Sequence, residues 1–559
     1  MIRKKWVSDN SNTEKIKELT EKLNIDESII RILVQRGIDS PFLIEDFLNP
    51  SLDNLYDPFL LSDMDKAVER INTAIKNKEK IYIYGDYDVD GVTASSILYI
   101  SLKSIYKDVY IYIPERENEG YGLNNKAIDK IYKNNGKLII TVDCGISSHS
   151  EAKYAKELGI DMIITDHHTC PETLPYAVAV INPKRKDSTY PFSELCGAGV
   201  SLKLCTALNL LTEKIIAICA IGTISDIVPL VSENRIITHF GIKYLRHGIL
   251  ENINILCEIL GSSHKNISST MVGFTIAPRI NAAGRMATAK EAVEFFISED
   301  VKRIKELSLY LDNLNLKRQE CEKKILNEAK EKIEKSREYE NNIMVVAGKG
   351  WHEGVLGIVA SRITEEYYKP CIMISLNENE AKGSSRSVKG YNIYEGLFQV
   401  SDLLIKFGGH SLAAGLSIKE ENIDILRERI NENAKEIFEK NDISPYIKID
   451  ADLKEHNINF KYIEDLKKLE PFGMGNPQPL FLIKDAIVKD SYSFSMGKHM
   501  RLDILKENIS LEAVGFGMGS YANSLKKGMK IHILCFIDIN EFMGNKKIQA
   551  KIKDIRISN

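Results

Sequence analysis

The segment Tyr84-Gly85-Asp86-Tyr87-Asp88-Val89-Asp90-Gly91 places three carboxylates at alternate positions between an apolar β-rich run and a helical one. Alternate side chains of an extended segment point the same way, so Asp86, Asp88 and Asp90 can converge as hard oxygen ligands for a divalent cation. A calcium EF-hand loop also opens D-x-D-x-D-G, but it needs a preceding helix and Glu at its twelfth position. Here the twelfth residue is Ile97 and the preceding run is strand-like. Three further carboxylates end later apolar runs: Asp143 in IITVDCGIS, Asp166 in IITDHH and Asp226 in IGTISDIVPL, with His167 and His168 directly after Asp166. One Asp after a strand is commonly a helix N-cap, and a histidine pair often fills a polar rim. The whole set, at the ends of successive apolar runs, reads instead as a metal site, because buried carboxylates are costly unless paired or bound to a cation. Mixed imidazole and carboxylate donors suit Mn²⁺, and a carboxylate-rich position suits Mg²⁺.

The elements that must position these groups follow from hydrophobic periodicity. Strand-like runs at 81–85, 109–113, 137–143 and 160–166 alternate with amphipathic helical stretches, which predicts a doubly wound parallel sheet with the polar residues at its carboxyl edge. Residues 200–297 have helical spacing, and a charged helical run over 299–335 is long enough to bridge two domains, its charges forming a solvated face. A second, smaller α/β pattern begins at IMVVAG (343–348) and includes PCIMIS (370–375) and AAGLSI (413–418). Past about residue 449, short alternating runs predict a small β-barrel, with the OB-fold as one candidate. The expected division is a helical leader 1–79, a catalytic domain 80–298, a connecting helix 299–338, a second α/β domain 339–447 and a barrel 448–559.

Composition bounds the class. At 559 residues and 44% hydrophobic, the chain is expected to form two or three soluble domains. Neither a signal peptide nor a run of about 18 apolar residues is found, so a cytoplasmic protein with no membrane span is expected. Nine cysteines include no C-x-x-C pair, which argues against a zinc knuckle and for reduced, buried thiols. A net charge of -3 gives no overall attraction to nucleic acid, although residues 451–559 carry 17 Lys/Arg against 13 Asp/Glu. Aromatic candidates there are Phe481, Tyr492, Phe494 and Phe516, most of them expected in the core. H-E-x-x-H fails after His352-Glu353, and no Walker A motif is present.

YGDYDVDG, VDCGI, TDHH and GTISDIVPL, in that order, resemble the four motifs of the DHH phosphoesterase superfamily. PRINAAGRM (278–286), GWHEGVLGIVASR (350–362), KGSSRS (382–387) and FGGHSLAAG (407–415) are similar to segments of its RecJ branch, and the resemblance runs from about Lys80 into the barrel. It implies an α/β fold: a DHH domain, a long connecting helix, a smaller DHHA1 domain and an OB-like barrel. It also implies that Asp88, Asp90, Asp143, His167 and Asp226 ligate two divalent cations, Mn²⁺ or Mg²⁺, with Asp143 bridging them. Asp86 would orient a ligand from behind, Asp166 would hold the histidine pair, and His168 would face the substrate phosphate. Two cations about 3.5 to 4 Å apart can activate water and neutralise phosphoryl charge without a side-chain base.

For substrate, the resemblance implies hydrolysis of single-stranded DNA from a 5′ end, 5′ to 3′, in DNA repair and recombination. Lys382, Ser384 and Arg386 would bind a terminal phosphate, with backbone N–H groups of a Gly408-Gly409-His410 loop, and Arg116, Arg279, Asn281 and Arg285 would add contacts. A single-strand-binding protein and a RecQ-type helicase are the implied protein partners of a monomeric enzyme. Two alternatives stand beside this. One is a DHH phosphodiesterase acting on short RNA or cyclic dinucleotides, which needs no strand-guiding barrel. The other is an inactive replication-fork scaffold, which would have lost metal ligands. A family II pyrophosphatase is set aside because Tyr84 stands where its first motif carries His.

Overall fold

The computed structural model describes residues 4–9, 11–115, 122–377, 380–441, 443–542 and 544–558. It divides into two compact units, Trp6–Ala277 with Val293–Lys305 and Lys448–Asn559, and Met1–Lys5 with Pro278–Ala292 and Glu306–Ile447.

The first unit is built on a five-stranded parallel sheet of β1 (Lys80–Gly85), β2 (Val109–Tyr112), β3 (Gly136–Val142), β4 (Asp161–Thr165) and β5 (Ala179–Ile181), in the order β2-β1-β3-β4-β5. The four predicted runs match β1 to β4 within about a residue; β5 is too short to show a period. The chain order reverses between β1 and β3, and this is where open α/β sheets bind ligands, beyond the carboxyl ends of their strands. Helices α1 (Val89–Lys103), α2 (Gly197–Ala207) and α3 (Glu213–Ser225) are buried almost all round, so apolar side chains on every face replace an amphipathic stripe. Helix α4 (Ser232–Arg246) follows.

The same unit contains a closed barrel of β11 (Phe481–Phe494), β12 (His499–Lys506), β13 (Ile509–Gly515), β14 (Lys530–Phe542) and β15 (Asn545–Ile557). Pairing runs β11-β12-β13-β15-β14, and β14 returns to β11, so every strand is flanked on both sides. The leader is no separate body. Ile30, Leu33, Ile44 and Phe47 share one apolar cluster with Phe481, Ile483, Leu502 and Ile533 of the barrel. Arg235 of α4 joins leader and barrel segment, donating to the carbonyls of Phe47, Leu469 and Lys468, each at 2.9 Å. Of the four aromatic candidates only Phe481 is core, at 1% exposure; Tyr492 and Phe516 are 43% and 63% exposed, which corrects the expectation that most are buried.

The second unit holds a mixed sheet of β6 (Met344–Lys349), β7 (Cys371–Leu376), β8 (Ala381–Arg386), β9 (Leu404–His410) and β10 (Ala413–Ile418), ordered β9-β10-β8-β7-β6. Only β6 and β7 run parallel. KGSSRS thus falls largely in a strand, and Gly408-Gly409-His410 ends an edge strand instead of forming a loop. Gly and Ser carry no β propensity, which hid both from periodicity. One face packs on helix Ile423–Lys440, the other on α7 (Glu353–Tyr367) and the long helix α6 (Val301–Ser336). Helix α6 is solvated on one side only, because Ile325, Ala329 and Ile333 form a buried stripe at spacings of four. Helix α5 (Ala277–Met286) carries PRINAAGRM.

Candidate metal centre and phosphate face

The turn after β1 brings Asp86, Asp88 and Asp90 to the sheet edge, the turn after β3 brings Asp143, the turn after β4 brings Asp166, His167 and His168, and the end of α3 brings Asp226. Three sets of ligand atoms each lie within 4.8 Å of one another: Asp86, Asp88 and Asp143; Asp90, His167 and Asp226; and Asp143, His167 and His168. Asp143 and His167 each belong to two sets. His167 Nε2 sits 3.1 Å from Asp143 Oδ1, 3.7 Å from Asp226 Oδ2 and 3.8 Å from Asp90 Oδ2.

Local backbone features fix these positions. Asp88 caps α1 by accepting the Gly91 N–H at 3.0 Å. Asp90 is anchored at the start of α2, where its two oxygens accept the N–H groups of Gly197 and Ala198 at 2.6 and 2.8 Å, so a helix N-terminus offsets its charge. Position 197 must be glycine, because a Cβ there would lie 2.5 Å from the Asp143 Cβ. Asp143 itself adopts φ 60, and β-branched Ile227, next to Asp226, also has φ 60. Each left-handed residue costs on the order of 1 to 3 kcal/mol, strain that the surrounding packing sustains at a functional edge.

Asp166 works differently. One oxygen accepts His168 Nδ1–H at 2.7 Å and the N–H groups of His167 and His168, and the other accepts Ile146 N–H at 2.9 Å. Burial would raise this carboxyl, yet the His168 contacts and backbone donors hold it below the ordinary value. For His168, burial alone would lower the imidazole, and the bond to Asp166 leaves it raised. His167 is lowered by burial.

The remaining carboxylates oppose one another. Burial first, then Asp90 and Asp88, pushes Asp143 well above the ordinary value and Asp226 up to about 9. Burial also raises Asp90. Asp143 Oδ1 and His167 Nδ1 are buried with no hydrogen-bond partner among the described residues. Hard oxygens and imidazole in mutual repulsion, with unsatisfied buried atoms, fit divalent cations and leave little else that would stabilise them. Sequence reading missed Asn182, buried after β5, which donates to the His168 carbonyl at 2.9 Å, and Lys184, whose charge acts on Asp226 and His167. No periodic pattern marks either.

The substrate residues fall in the second unit, apart from His168 in the first unit and Arg116, which lies outside the described residues. Strand register aligns them in rows across β8, β10 and β9: Arg386, Ala413 and His410 in one, Ser384, Gly415 and Gly408 in the next. Residues opposite one another share a face, so Arg386 and Ser384 on one side and His410 on the other flank a strip of alanine and glycine. Gly409 belongs to the other face. Arg386 donates to Ser384 Oγ at 3.4 Å and to the Ser385 carbonyl at 2.8 Å, makes no ion pair among the described residues, and is lowered by burial. Lys382, on the same face, is paired with Glu353 at 3.0 Å. On α5, Arg279 bonds Asp312 at 2.9 Å and Arg285 bonds the Gly354 carbonyl at 2.9 Å. Asn281 is near Arg285 on the helix surface, four residues before it, whereas Arg279 points elsewhere.

Family models match the DHH family N-terminal domain at residues 80–223, the DHHA1 domain at 340–436 and the RecJ OB domain at 449–554. The chain is 40% identical to the single-stranded-DNA-specific exonuclease RecJ of Bacillus subtilis, over 99% of this chain and 71% of that one. Identity to RecJ of Escherichia coli is 31%, over 89% of this chain and 90% of that one. The crystal structure of RecJ in complex with Mn²⁺ from Thermus thermophilus superposes with a TM-score of 0.85 at 27% identity, covering 99% of this chain and 80% of the other. Carboxylates gathered at the switch point of a parallel sheet, a mixed sheet and a closed barrel, matched over nearly the full length of this chain, place it in the RecJ family of DHH phosphoesterases.

Proposed function

We propose that the chain is a two-metal, single-strand-specific DNA exonuclease working from a 5′ end, in repair and recombination. The observation that carries it is the convergence of Asp86, Asp88, Asp90, Asp143, His167, His168 and Asp226 in overlapping ligand sets. Asp86, Asp88 and Asp143 would hold one Mn²⁺ or Mg²⁺, and Asp90, His167 and Asp226 the other, with Asp143 shared. This extends the sequence reading by making Asp86 a direct ligand. When bound, the cations supply water activation, phosphoryl charge neutralisation and leaving-group assistance. Asp90, fixed by the α2 amides, and Asp143, fixed by its turn, hold the ligand geometry before substrate arrives, so little reorganisation is left for the reaction. Asp166 holds the His168 ring through Nδ1, so Nε2 is the ring nitrogen that would face a phosphate oxygen.

Ser384, Arg386, Gly408 and His410 would hold the terminal phosphate, since a half-buried guanidinium without a carboxylate partner favours an anion. Tyr492 and Phe516 on the barrel, with Arg501 5.8 Å from the Tyr492 ring centre, suit stacked bases of a single strand. That exposed aromatic surface disfavours the reading as a phosphodiesterase of short RNA or cyclic dinucleotides, which has no use for it. The retained ligand set disfavours an inactive scaffold. The proposed enzyme is cytoplasmic and monomeric. All nine cysteines are free, and among the described residues no helix is long and apolar enough to cross a membrane. A single-strand-binding protein and a RecQ-type helicase are its proposed partners. The domain limits 1–79, 80–298, 299–338, 339–447 and 448–559 are kept as proposed boundaries.

Single strands and duplexes labelled at either end, incubated with Mn²⁺, Mg²⁺ or chelator, test all of this together. Loss of the 5′ label first, from single strands only and only with metal, is the expected result. Equal digestion of duplexes, or activity in chelator, overturns the reading.

A further inference from the structure

A cavity of about 760 Å³ lies between α4 and the barrel, within the range of small-molecule sites, roughly 300 to 1,000 Å³. One wall is a single face of α4, since His239, Ile242, Lys243 and Arg246 recur at helical spacing. Lys243 is about 16 Å along the helix from Ser232, well beyond the Asp226 end and the metal centre. Away from α4, Leu466, Pro471, Phe472 and Ile537 give the cavity apolar lining, interleaved with charged residues and with Thr270 and Gln478. Five Lys or Arg side chains line the cavity (Lys243, Arg246, Lys467, Lys468 and Lys551) against two carboxylates, Glu470 and Asp538. With ion pairs set aside, Lys243 and Arg246 stand against Glu470, a small positive excess that favours an anion. Lys467, Lys468 and Lys551 have carboxylate partners at 2.8 to 2.9 Å. Lys243 has no ion pair among the described residues, and Arg246 donates Nε–H to the Ile267 carbonyl at 2.6 Å.

We infer that this cavity is a second nucleotide site, taking a nucleoside monophosphate with its base against Phe472 and Leu466 and its phosphate on Lys243 and Arg246. A lone phosphate would leave the apolar lining uncovered, and an apolar ligand would leave the cations unmatched; a nucleotide satisfies both. Glu470 and Gln478 provide acceptors for the amino groups of a base edge. The inference rests on the nuclease reading only for its source of ligand, either released mononucleotide or one residue of a passing strand.

Binding of deoxyadenosine monophosphate is measured by calorimetry on the full chain in chelator, carrying Arg386→Ala to silence the phosphate face. Lys243→Glu and Thr270→Trp change exposed positions, one reversing the charge and the other filling the cavity, and circular dichroism verifies their fold. The expected result is one saturable site, weakened at least tenfold by each change and at least tenfold weaker for inorganic phosphate. No binding, binding untouched by both changes, or phosphate binding as tightly as the nucleotide overturns the inference. A phosphorothioate single strand distinguishes the sources: an equal loss of strand affinity in Lys243→Glu identifies a strand residue, an unchanged affinity the free nucleotide. Because metal is absent, failure here leaves the cleavage assay of the nuclease reading untouched.

Discussion

Asp226→Asn should make the metal-free protein more stable while removing about half of what metal adds. In the fold the Asp226 carboxyl is pushed up to about 9 by burial and by Asp90 and Asp88, against an ordinary value of 3.8. At pH 7 the folded chain therefore holds a proton that the unfolded chain has released. The raised value makes Asp226 favour folding only below its unfolded value. Stability is lost as pH climbs from about 4 toward 9. The stretch from the ordinary value to pH 7 corresponds to roughly 4 kcal/mol, an upper bound because the neighbouring carboxylates share the strain. An amide of the same shape removes that burden, so Asp226→Asn should gain roughly 2 to 4 kcal/mol in chelator at pH 7 and show a flatter decline in stability from pH 5 to 9. Saturating Mn²⁺ largely closes the gap. At 100 times its dissociation constant a cation stabilises a site by about 2.7 kcal/mol, and the wild type should collect this at two sites whereas the variant loses one ligand set. Thermal melts of both proteins in chelator and in Mn²⁺, across that pH range, check the narrowing. A variant that melts below the wild type in chelator, or one that gains as much from Mn²⁺, would refute the reasoning.

Two other outcomes follow from structure outside the metal centre. Lys203 and Glu233 form a buried ion pair, 1% and 0% exposed, and Lys203 also donates to the Tyr56 carbonyl at 2.8 Å. Lys203→Met strands the carboxylate and should cost about 3 to 5 kcal/mol, read as a lower urea midpoint, with most of it recovered in the Lys203→Met, Glu233→Gln double variant; a single variant as stable as wild type would show the pair to be inert. Tyr492→Ala and Phe516→Ala should each weaken single-strand affinity by about 1 to 3 kcal/mol in chelator without changing the melting temperature. Unchanged affinity in fluorescence anisotropy would remove the barrel from strand binding.

What could be read in the sequence was whatever is local. Asp86, Asp88 and Asp90 announce themselves because three carboxylates sit within five residues after an apolar run, and Asp143, Asp166 and Asp226 because each ends one. The strands β1 to β4 and the barrel strands were legible because burial on one or both faces imposes a period. What escaped depends on distant residues whose types carry no signal. The amides that fix Asp90 belong to Gly197 and Ala198, 107 and 108 positions away, and only the folded chain shows that a glycine is needed beside Asp143. The alignment of Arg386 with His410 through Ala413 is a matter of strand register, and the shared core of Ile30 and Leu33 with Phe481 joins segments some 450 residues apart. The exposure of Tyr492 and Phe516 was lost for the same reason, since an aromatic in an alternating run reads equally as core or surface.

Anomalous scattering from crystals grown with Mn²⁺ bears most directly on the metal centre. Two peaks about 3.5 to 4 Å apart, one touching Asp86, Asp88 and Asp143 and the other Asp90, His167 and Asp226, are the predicted result. A single peak elsewhere, or none among these side chains at saturating Mn²⁺, would contradict the account.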